Sequence, residues 1–269
     1  MINNLDMTDD ERAEIKIEAN RRHSKTESTH INQIGGWNDG KLHTLISDSG
    51  AGKSTYIRSI IQDFLKCNPD RTCFVWLSEI TTEDFRREVA FMPSNNLYKR
   101  LYCYSEMDNL DNELSQAARL NSFIEIISTC DCDLIIIDNL TTSQVYEGLR
   151  PDAQGKVCIA IKQMCIDMKK PIIQIAHTGG THKGADFIEM NDVRGAKHIV
   201  NLSEFFFILQ TFQLGKRRVT TIRPTKYRGK SVKEYFFMLP YDEATLIYGR
   251  DICLTFDEMK KIWDKRNKK

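Results

Sequence analysis

The chain has 269 residues, of which 41% are hydrophobic, and its formal net charge is +1 at pH 7. This length suits one large α/β domain with a sizeable core and is short for two domains. The balanced charge excludes an overall electrostatic footprint for nucleic acid. Apolar stretches no longer than a strand exclude a membrane span, and acidic residues near the N-terminus argue against a signal or transit peptide. We therefore expect a cytoplasmic protein without a membrane partner.

The cysteines predict reduced, mostly buried thiols. The sequence has eight of them but no CxxC spacing, and Cys130 and Cys132 are the only close pair. Cysteines within apolar stretches are typical of free buried thiols rather than of a zinc site or a disulfide framework. The cysteines in such stretches are Cys73, Cys103, Cys158 and Cys253.

Three parts follow one another along the chain: an N-terminal helix with a polar linker (1–34), an α/β domain (35–250), and a basic C-terminal helix or tail (251–269). In the first part, Thr8 and Glu11 form a capping-box pattern, which predicts a charged helix from about Asp9 to Arg22. The polar stretch from His23 to Gln33 is typical of a linker. In the last part, the basic residues predict a solvated face.

The stretch from Ser47 to Thr55 has the pattern of a phosphate-binding P-loop. It follows the apolar run from Leu42 to Ile46 and leads into an amphipathic helix, which is the setting that this motif needs. Lys53 would reach the β- and γ-phosphates, and the Ser54 hydroxyl would bind Mg²⁺. Ser47 occupies the position of the first glycine in the general pattern. The residues that would bind ATP, or another nucleoside triphosphate, are Ser49, Gly50, Ala51, Gly52, Lys53, Ser54 and Thr55.

Beyond this loop, short apolar runs alternate with helical patterns. This alternation predicts an α/β fold whose central sheet is mainly parallel and flanked by helices on both faces. The predicted strands are 73–77, 101–104, 134–137 and 172–176, and the predicted helices are 82–91, 110–129 and 153–168. After residue 203, strands joined by short polar links predict antiparallel additions at one sheet edge, at 205–209, 219–222, 235–239 and 245–248. Thr255 and Glu258 form a second capping pattern before the last helix.

Polar residues at the ends of three predicted strands are candidates for catalysis. Asp138 ends one strand, the position from which a P-loop enzyme orders its Mg²⁺ shell. AAA-type ATPases usually place a glutamate directly afterwards, whereas this chain has Asn139. Glu79, at the end of another strand, could hold the attacking water instead, because strand ends converge at one crevice; the alternative is an ordinary glutamate at a helix start. His177 ends a third strand and could sense the γ-phosphate, or could simply be a hydrogen-bonded strand-end histidine.

The order of these motifs resembles that of the RecA-like ring helicases, which include DnaB-type helicases, Twinkle and the helicase domain of phage helicase-primases. The phage type is the nearest in pattern, since its P-loop also tolerates serine in the first position. The resemblance covers about Gly35 to Tyr248. It rests on the P-loop, Glu79, IIIDN (135–139), QIAH (174–177), DVRGA (192–196) and TKYRGK (225–230). It implies that Glu79 is the catalytic base and His177 the phosphate sensor.

The resemblance also implies partners. In that family, the loop after His177, here with Lys183, binds single-stranded DNA inside a ring, which we expect to be a hexamer, and Arg194 lies in a segment that flanks this loop. Arg228, with Lys226 as a second candidate, would contact the phosphates bound by the neighbouring subunit; otherwise these two belong to a solvated basic hairpin. The sequence shows no primase region, so a separate primase or polymerase is an expected partner. The N-terminal helix resembles a linker helix that packs on the adjacent subunit; the alternative is a flexible amphipathic tail.

The sequence thus predicts an ATP-driven, Mg²⁺-dependent helicase for phage or plasmid replication, and two alternatives stay open. The first is a recombinase or mediator that coats single-stranded DNA, which Phe187 would favour because an aromatic ring can insert between bases. The second is an ATP-controlled binding module whose slow hydrolysis is indifferent to DNA.

Overall fold

A computed structural model describes most of the chain. The described residues are 23–92, 97–109, 114–179, 187–214, 217–228, 235–243, 245–255 and 257–261. The helix expected from Asp9 to Arg22 and the expected DNA-binding Lys183 lie outside these residues.

A nine-stranded sheet, mainly parallel, forms the centre of the protein, in the order β13-β10-β9-β8-β3-β7-β6-β4-β5. The strands from β8 to β5 in this order are parallel to one another. Their bounds are β3 Leu42–Ser47, β4 Cys73–Leu77, β5 Leu101–Ser105, β6 Leu134–Asp138, β7 Ile172–His177 and β8 Phe205–Leu214. The mainly parallel α/β fold predicted from the sequence is therefore confirmed.

The remaining three strands of this sheet are antiparallel additions. They are β9 Arg217–Tyr227, β10 Tyr235–Leu239 and β13 Ile252–Thr255. The prediction of additions at one edge is confirmed for β9 and β10, whereas β13 was not predicted. Two of the predicted additions are wrong: β8 pairs parallel with β3, and the strand expected at 245–248 lies outside the central sheet. Two further ladders pair β1 (His23–Ser24) with β2 (Trp37–Asn38), and β11 (Tyr241–Asp242) with β12 (Ile247–Tyr248).

Helices cover both faces of the sheet and divide the core into two layers. They are α1 Thr29–Gln33, α2 Lys53–Cys67, α3 Thr82–Val89, α4 Gln116–Thr129, α5 Pro151–Met168 and α6 His198–Leu202. Successive strand residues point to opposite faces, so Leu134 and Ile136 of β6 pack with α2 in one layer, whereas Ile135 and Ile137 pack with α4 and α5 in the other. Apolar residues thus face both layers, which is why these strands appear as continuous apolar runs.

Helix α4 begins later than the sequence pattern predicted. The helix was expected from about Leu110, but its first residue is Gln116. Ser115 is the reason, because its side chain accepts a hydrogen bond from Ala118 N at 3.2 Å and so caps the helix.

The described residues of both predicted terminal segments contact the core. The stretch from His23 to Gln33, expected as a linker, contains β1 and α1, and its His30 side chain is only 2% exposed. His30 binds Asp251 through Nδ1 and Tyr56 of α2 through Nε2, both at 2.6 Å. Asp251 precedes β13, so the C-terminal part was wrongly expected to be helix or tail alone. The cap formed by Thr255 and Glu258 is confirmed, with Glu258 N donating to Thr255 Oγ1 at 3.3 Å.

The cysteines are less buried than the sequence predicted. All eight are free thiols, and four of them are buried, although Cys253 is exposed because it lies on the edge strand β13. Among the described residues, no three His, Cys, Asp or Glu side chains are grouped closely enough to hold a metal ion by themselves. No helix in the described part of the chain is both long and apolar enough to cross a membrane.

Candidate active site

The P-loop joins the end of β3 to the start of α2. Gly50 and Gly52 have positive φ values of 75° and 92°, which an L-residue adopts only at a cost, so glycine is needed at both positions. Gly52 is the N-cap of α2, and Lys53 is its first residue, with only 8% of its surface exposed. The loop therefore presents backbone N–H groups and one buried cation at a helix N-terminus, which is an anion-binding arrangement.

Residues from the later strands hold this loop from outside. Thr211 Oγ1 of β8 donates to Ala51 O at 2.8 Å, and Arg218 of β9 donates to Gly50 O at 2.8 Å. The Tyr248 hydroxyl sits so close to Gly52 that a Cβ there would lie 2.2 Å from it. Nothing in the sequence pattern pointed to these contacts, because the three side chains come from a part of the chain read only as sheet edge.

The candidate residues at strand ends meet at the same edge of the sheet as the P-loop. Ser47 of β3 pairs with His177 of β7, and Asp138 of β6 pairs with Leu77 of β4, two residues before Glu79. The carboxyl ends of neighbouring parallel strands lie together, and ligands bind at this edge in open α/β sheets. The structure therefore brings together Lys53, Asp138, Glu79 and His177, as their positions in the sequence led us to expect.

A chain of hydrogen bonds joins the P-loop lysine to the candidate base. Lys53 Nζ lies 2.9 Å from His177 Nδ1, and His177 Nε2 lies 3.0 Å from Glu79 Oε1. An ammonium group only donates, so Nδ1 must accept, and the proton of the neutral ring is then on Nε2, from where it donates to the carboxylate. Lys53 also donates to Asp48 O at 3.2 Å. His177 thus connects the phosphate-binding side of the site to Glu79.

Burial, hydrogen bonds and neighbouring charges shift the pKa values of three ionisable groups in the site. Burial lowers the pKa of Lys53, although Glu79, Asp138 and Asp48 favour its charged form. Burial raises the pKa of Asp138 to about 7, and the charge of Glu79 acts in the same direction. The hydrogen bond from His177 is the main cause of the lowered pKa of Glu79. The site therefore holds more negative charge than Lys53 alone can balance.

These electrostatics fit a hard divalent cation. A cation beside Asp138 would return its carboxyl group to the ionised form, and the Ser54 hydroxyl at the start of α2 is a second oxygen ligand of the kind that Mg²⁺ prefers. Mg²⁺ usually keeps several waters and takes phosphate oxygens as ligands, so two protein ligands suffice. Ser54 and Asp138 are thus the residues that would hold it, and the bound ion would neutralise charge on the phosphates.

A short turn after Asp138 contacts both Glu79 and His177. It is a 3₁₀ helix, Leu140–Thr142, capped by Asn139. Thr142 Oγ1 donates to Glu79 Oε1 at 3.0 Å, and His177 N donates to Thr141 Oγ1 at 3.0 Å. Sequence reasoning did not identify either threonine, and the only available signal was their place directly after the strand that ends in Asp138.

Arg228 and Lys226 lie at the opposite edge of the sheet. Ile222 is level with the P-loop end of β3, and Arg228 follows six residues later, which is about 20 Å along the strand. Arg228 donates to Asn201 O at 2.7 Å, and Lys226 donates to Val200 O at 2.5 Å. The structure therefore does not bring these two residues to the P-loop of their own chain.

The segment around the predicted DNA-binding loop begins and ends beside His177. Thr178 forms a β-bridge with Val193, and Arg194 N donates to His177 O at 2.8 Å. The Arg194 side chain is exposed and lies 3.6 Å from Glu147. The two ends of residues 178–193 are thus fastened to the strand that carries the candidate sensor.

Phe187, the residue that favoured the recombinase alternative, is partly buried and packs against a small hydrophobic cluster. Its ring centroid lies 6.1 Å from Phe212 and 5.4 Å from Phe236. The Arg223 guanidinium stacks over it at 5.9 Å and donates to Ile188 O. This position does not suit insertion between bases, because the ring contributes to a hydrophobic cluster.

The architecture is shared with proteins of known structure. No protein-family model matches the sequence, and no curated protein matches it. Among solved structures, the chain is similar to a KaiC-like protein from the hyperthermophilic archaeon Pyrococcus horikoshii OT3, with a TM-score of 0.64 and 14% identity, over 86% of this chain and 99% of the other. Because 634 chains of solved structures match, this likeness indicates a fold and does not single out an activity.

Fold and site lead to one conclusion. The sheet order, the loop between β3 and α2, and the acidic residues at neighbouring strand ends occur together in a single α/β domain. The chain therefore has a RecA-like P-loop NTPase fold.

Proposed function

We propose that the chain is a Mg²⁺-dependent ATPase that works as a ring-forming helicase on single-stranded DNA. The observation that carries the ATPase part is the hydrogen-bond chain from Lys53 through His177 to Glu79, at 2.9 Å and 3.0 Å. It places a cation, a neutral imidazole and a carboxylate side by side at the P-loop edge. This set can bind a γ-phosphate and remove a proton from an attacking water.

Each of these residues has a distinct role in hydrolysis. Lys53 and the backbone N–H groups of the P-loop bind the phosphates and stabilise the charge that develops on them. Glu79 orients the water and takes its proton, and its lowered pKa keeps the carboxylate ionised at neutral pH. His177 exchanges its contact with Lys53 for one with the γ-phosphate, so its position depends on whether that phosphate is present.

The DNA part of the proposal rests on the segment that follows His177, residues 178–193. Its backbone O accepts from Arg194, and the next residue, Thr178, forms the bridge to Val193. A movement of His177 would therefore move both ends of residues 178–193, which include Lys183 and are followed by Arg194. Cations there would contact DNA phosphates, so binding would weaken as salt rises.

The ring part rests on the opposite edge of the sheet. Arg228 lies about 20 Å along β9 from the P-loop end of the sheet, so it can serve a nucleotide only on another subunit. Its guanidinium is exposed and contacts Asn201 O, at a position open to a neighbour. A cation supplied in this way makes hydrolysis depend on assembly.

The first test is ATP turnover with and without single-stranded DNA, for the wild type and Glu79→Gln. We expect DNA to stimulate turnover, and we expect Glu79→Gln to lower kcat by about 10²- to 10⁴-fold, because the general base is lost. Glu83→Gln is the matched control, since Glu83 is an exposed residue of α3 that pairs with Arg87.

Each other outcome selects a different conclusion. Turnover that DNA does not change would contradict the helicase and favour the binding module. DNA-stimulated turnover by filaments, rather than rings, in electron micrographs would favour the recombinase. Equal turnover by Glu79→Gln and wild type would remove Glu79 from the mechanism.

A further inference from the structure

Three donors converge on a single oxygen of Glu79. His177 Nε2 lies 3.0 Å from Oε1, Thr142 Oγ1 lies 3.0 Å from it, and Asn139 Nδ2 lies 3.3 Å from it. In the described part of the chain, every hydrogen bond that reaches the Glu79 carboxylate reaches Oε1, and the side chain is 44% exposed. The two oxygens therefore differ: Oε1 accepts three hydrogen bonds, whereas Oε2 accepts none from the described residues.

Of the three donors, Thr142 combines a short contact with Oε1 with independence from the phosphate-binding lysine. His177 also contacts Lys53 and would move when phosphate binds, and Asn139 is the most distant donor. The hydroxyl of Thr142 has one proton, and a carboxylate is its strongest acceptor among the groups within reach. Ser78 Oγ, at 2.8 Å, lies on the other side of the same hydroxyl and fixes its rotamer.

The turn that carries Thr142 is fixed at both ends. At its start, Asn139 Oδ1 accepts from Thr141 N at 2.9 Å and from Thr141 Oγ1 at 2.8 Å. At its end, Ser143 Oγ donates to Glu106 Oε1 at 2.6 Å, and Gln144 N donates to Glu106 Oε2 at 3.0 Å.

Glu106 itself is buried, with 5% of its surface exposed, and Trp76 Nε1 donates to it at 3.0 Å. A buried carboxylate that accepts this many hydrogen bonds is a rigid anchor. Thr142 therefore approaches Glu79 from a part of the protein that cannot easily shift.

We propose that Thr142 is a positioning residue that holds Oε1 of Glu79, so that Oε2 is the oxygen that takes the proton from the attacking water. The inference rests on the proposed ATPase activity. In the step concerned, an O–H bond of water breaks and its proton goes to Oε2. The water oxygen bonds to the γ-phosphorus, and the bond to the β–γ bridging oxygen breaks, releasing ADP and phosphate.

The test compares two substitutions of the same residue. Thr142→Val keeps the shape and removes the hydroxyl, whereas Thr142→Ser keeps the hydroxyl. A carboxylate that loses its orientation can cost about 10²-fold in rate, so we expect kcat to fall by about 10- to 100-fold in Thr142→Val and by less than about threefold in Thr142→Ser. The affinity for a fluorescent ATP analogue should stay within about twofold in both, because Thr142 does not belong to the P-loop.

Two further measurements separate positioning from a merely structural role. Binding of ADP with aluminium fluoride, which imitates the transferred phosphoryl group, should weaken in Thr142→Val while ADP binding alone does not change. In the Glu79→Gln background, Thr142→Val should add no further loss, since it acts through Glu79. Thermal unfolding of each variant checks folding, and Thr142→Ala replaces valine if valine disturbs it.

Three results would overturn the inference. The first is a wild-type kcat in Thr142→Val, and the second is a kcat in Thr142→Ser as low as in Thr142→Val. The third is a loss from Thr142→Val in the Glu79→Gln background as large as its loss in the wild type. The turnover of Glu79→Gln tests the ATPase proposal separately. If Glu79→Gln itself turns over like the wild type, the base assignment fails and the role of Thr142 fails with it. If Glu79→Gln is inactive and Thr142→Val is normal, only the inference fails.

Discussion

The parallel and antiparallel halves of the sheet differ in where they place their polar residues. In the parallel half, Lys53, Asp138, Glu79 and His177 all follow strand ends and lie at one edge. In the antiparallel half, β9 runs from Arg217 near the P-loop edge to Tyr227 near the opposite edge. Parallel strands bring all their carboxyl ends to one side, whereas antiparallel strands alternate. Only in the parallel half, therefore, does the place of a residue at the end of a strand in the sequence predict the edge of the sheet at which it lies.

The two halves also meet at the nucleotide site in different ways. The parallel strands carry the candidate catalytic residues. The P-loop is contacted from the other side by Thr211 of β8, where the two halves join, by Arg218 of β9, and by Tyr248 of the separate β11–β12 ladder. We expect the chemical step to depend on the parallel half. We expect the position of the P-loop and the assembly of subunits to depend on the antiparallel strands and the residues beside them. Three substitutions would break or sharpen this division.

The largest effect is expected for Arg228→Ala in the antiparallel half. If Arg228 completes the site of a neighbour, kcat should fall by about 10³-fold, while nucleotide affinity stays unchanged because the P-loop of the same chain is intact. ATP turnover and binding of a fluorescent ATP analogue measure the two quantities. Arg150→Ala is the control, since the Arg150 side chain is 88% exposed.

A mixing experiment tests whether Arg228 acts between subunits. Lys53→Ala subunits keep Arg228, and Arg228→Ala subunits keep Lys53, so a mixture of the two inactive proteins should regain turnover. Failure to regain it, with assembly intact by light scattering, would contradict a role in trans.

The next effect concerns Gly52, where the halves touch. Alanine at Gly50 or Gly52 would adopt a positive φ, which costs about 1–2 kcal/mol. Only at Gly52 would the new Cβ also lie 2.2 Å from the Tyr248 hydroxyl, which adds roughly 1–3 kcal/mol of overpacking. Thermal unfolding should therefore show a larger loss for Gly52→Ala than for Gly50→Ala. Adding Tyr248→Phe should recover part of that difference, and equal losses in the two alanine variants would argue against the contact.

At neutral pH the smallest effect is expected for His43, which is buried in the strand that leads to the P-loop. Its ring stacks on Phe205 at 4.5 Å, and burial lowers its pKa from 6.5 to about 3. Because the unfolded chain binds this proton below about pH 6.5 and the folded chain does not, stability should fall by about 1.4 kcal/mol per pH unit from there toward pH 3.

Denaturant unfolding of wild type and His43→Phe at several pH values measures this contribution. Other groups titrate in both proteins, so the difference between the two isolates His43. A difference that is constant between pH 7 and pH 4.5 would contradict the prediction.

Much of the fold and half of the site could be predicted from the sequence. The buried strands carry apolar residues on both faces, as Leu134 to Ile137 do, and this makes them easy to recognise. The P-loop is a local motif, so its residues needed no tertiary information. Glu79 and His177 could be located because each ends such a strand, and parallel pairing then brought them together.

The remaining features depend on contacts between distant parts of the chain. Thr142 could not be identified, because a threonine in a turn gains its role only from the carboxylate that lies across from it. The packing of His23–Gln33 was missed since its polar appearance hides three buried residues, Ser24, His30 and Ile31. The strand at Ile252–Thr255 has an apolar sequence but mostly exposed side chains, and it was missed because this short run was assigned to the C-terminal helix or tail.

The chain of His30, Tyr56 and Asp251 has a mechanical consequence. It fastens a segment near each end of the described chain to helix α2, whose first residue is Lys53. A force on the segment of His30 would reach the helix that follows the P-loop through one hydrogen bond of 2.6 Å, and a force on the segment of Asp251 would reach it through two. We therefore expect tension at either flanking segment to be felt at the P-loop.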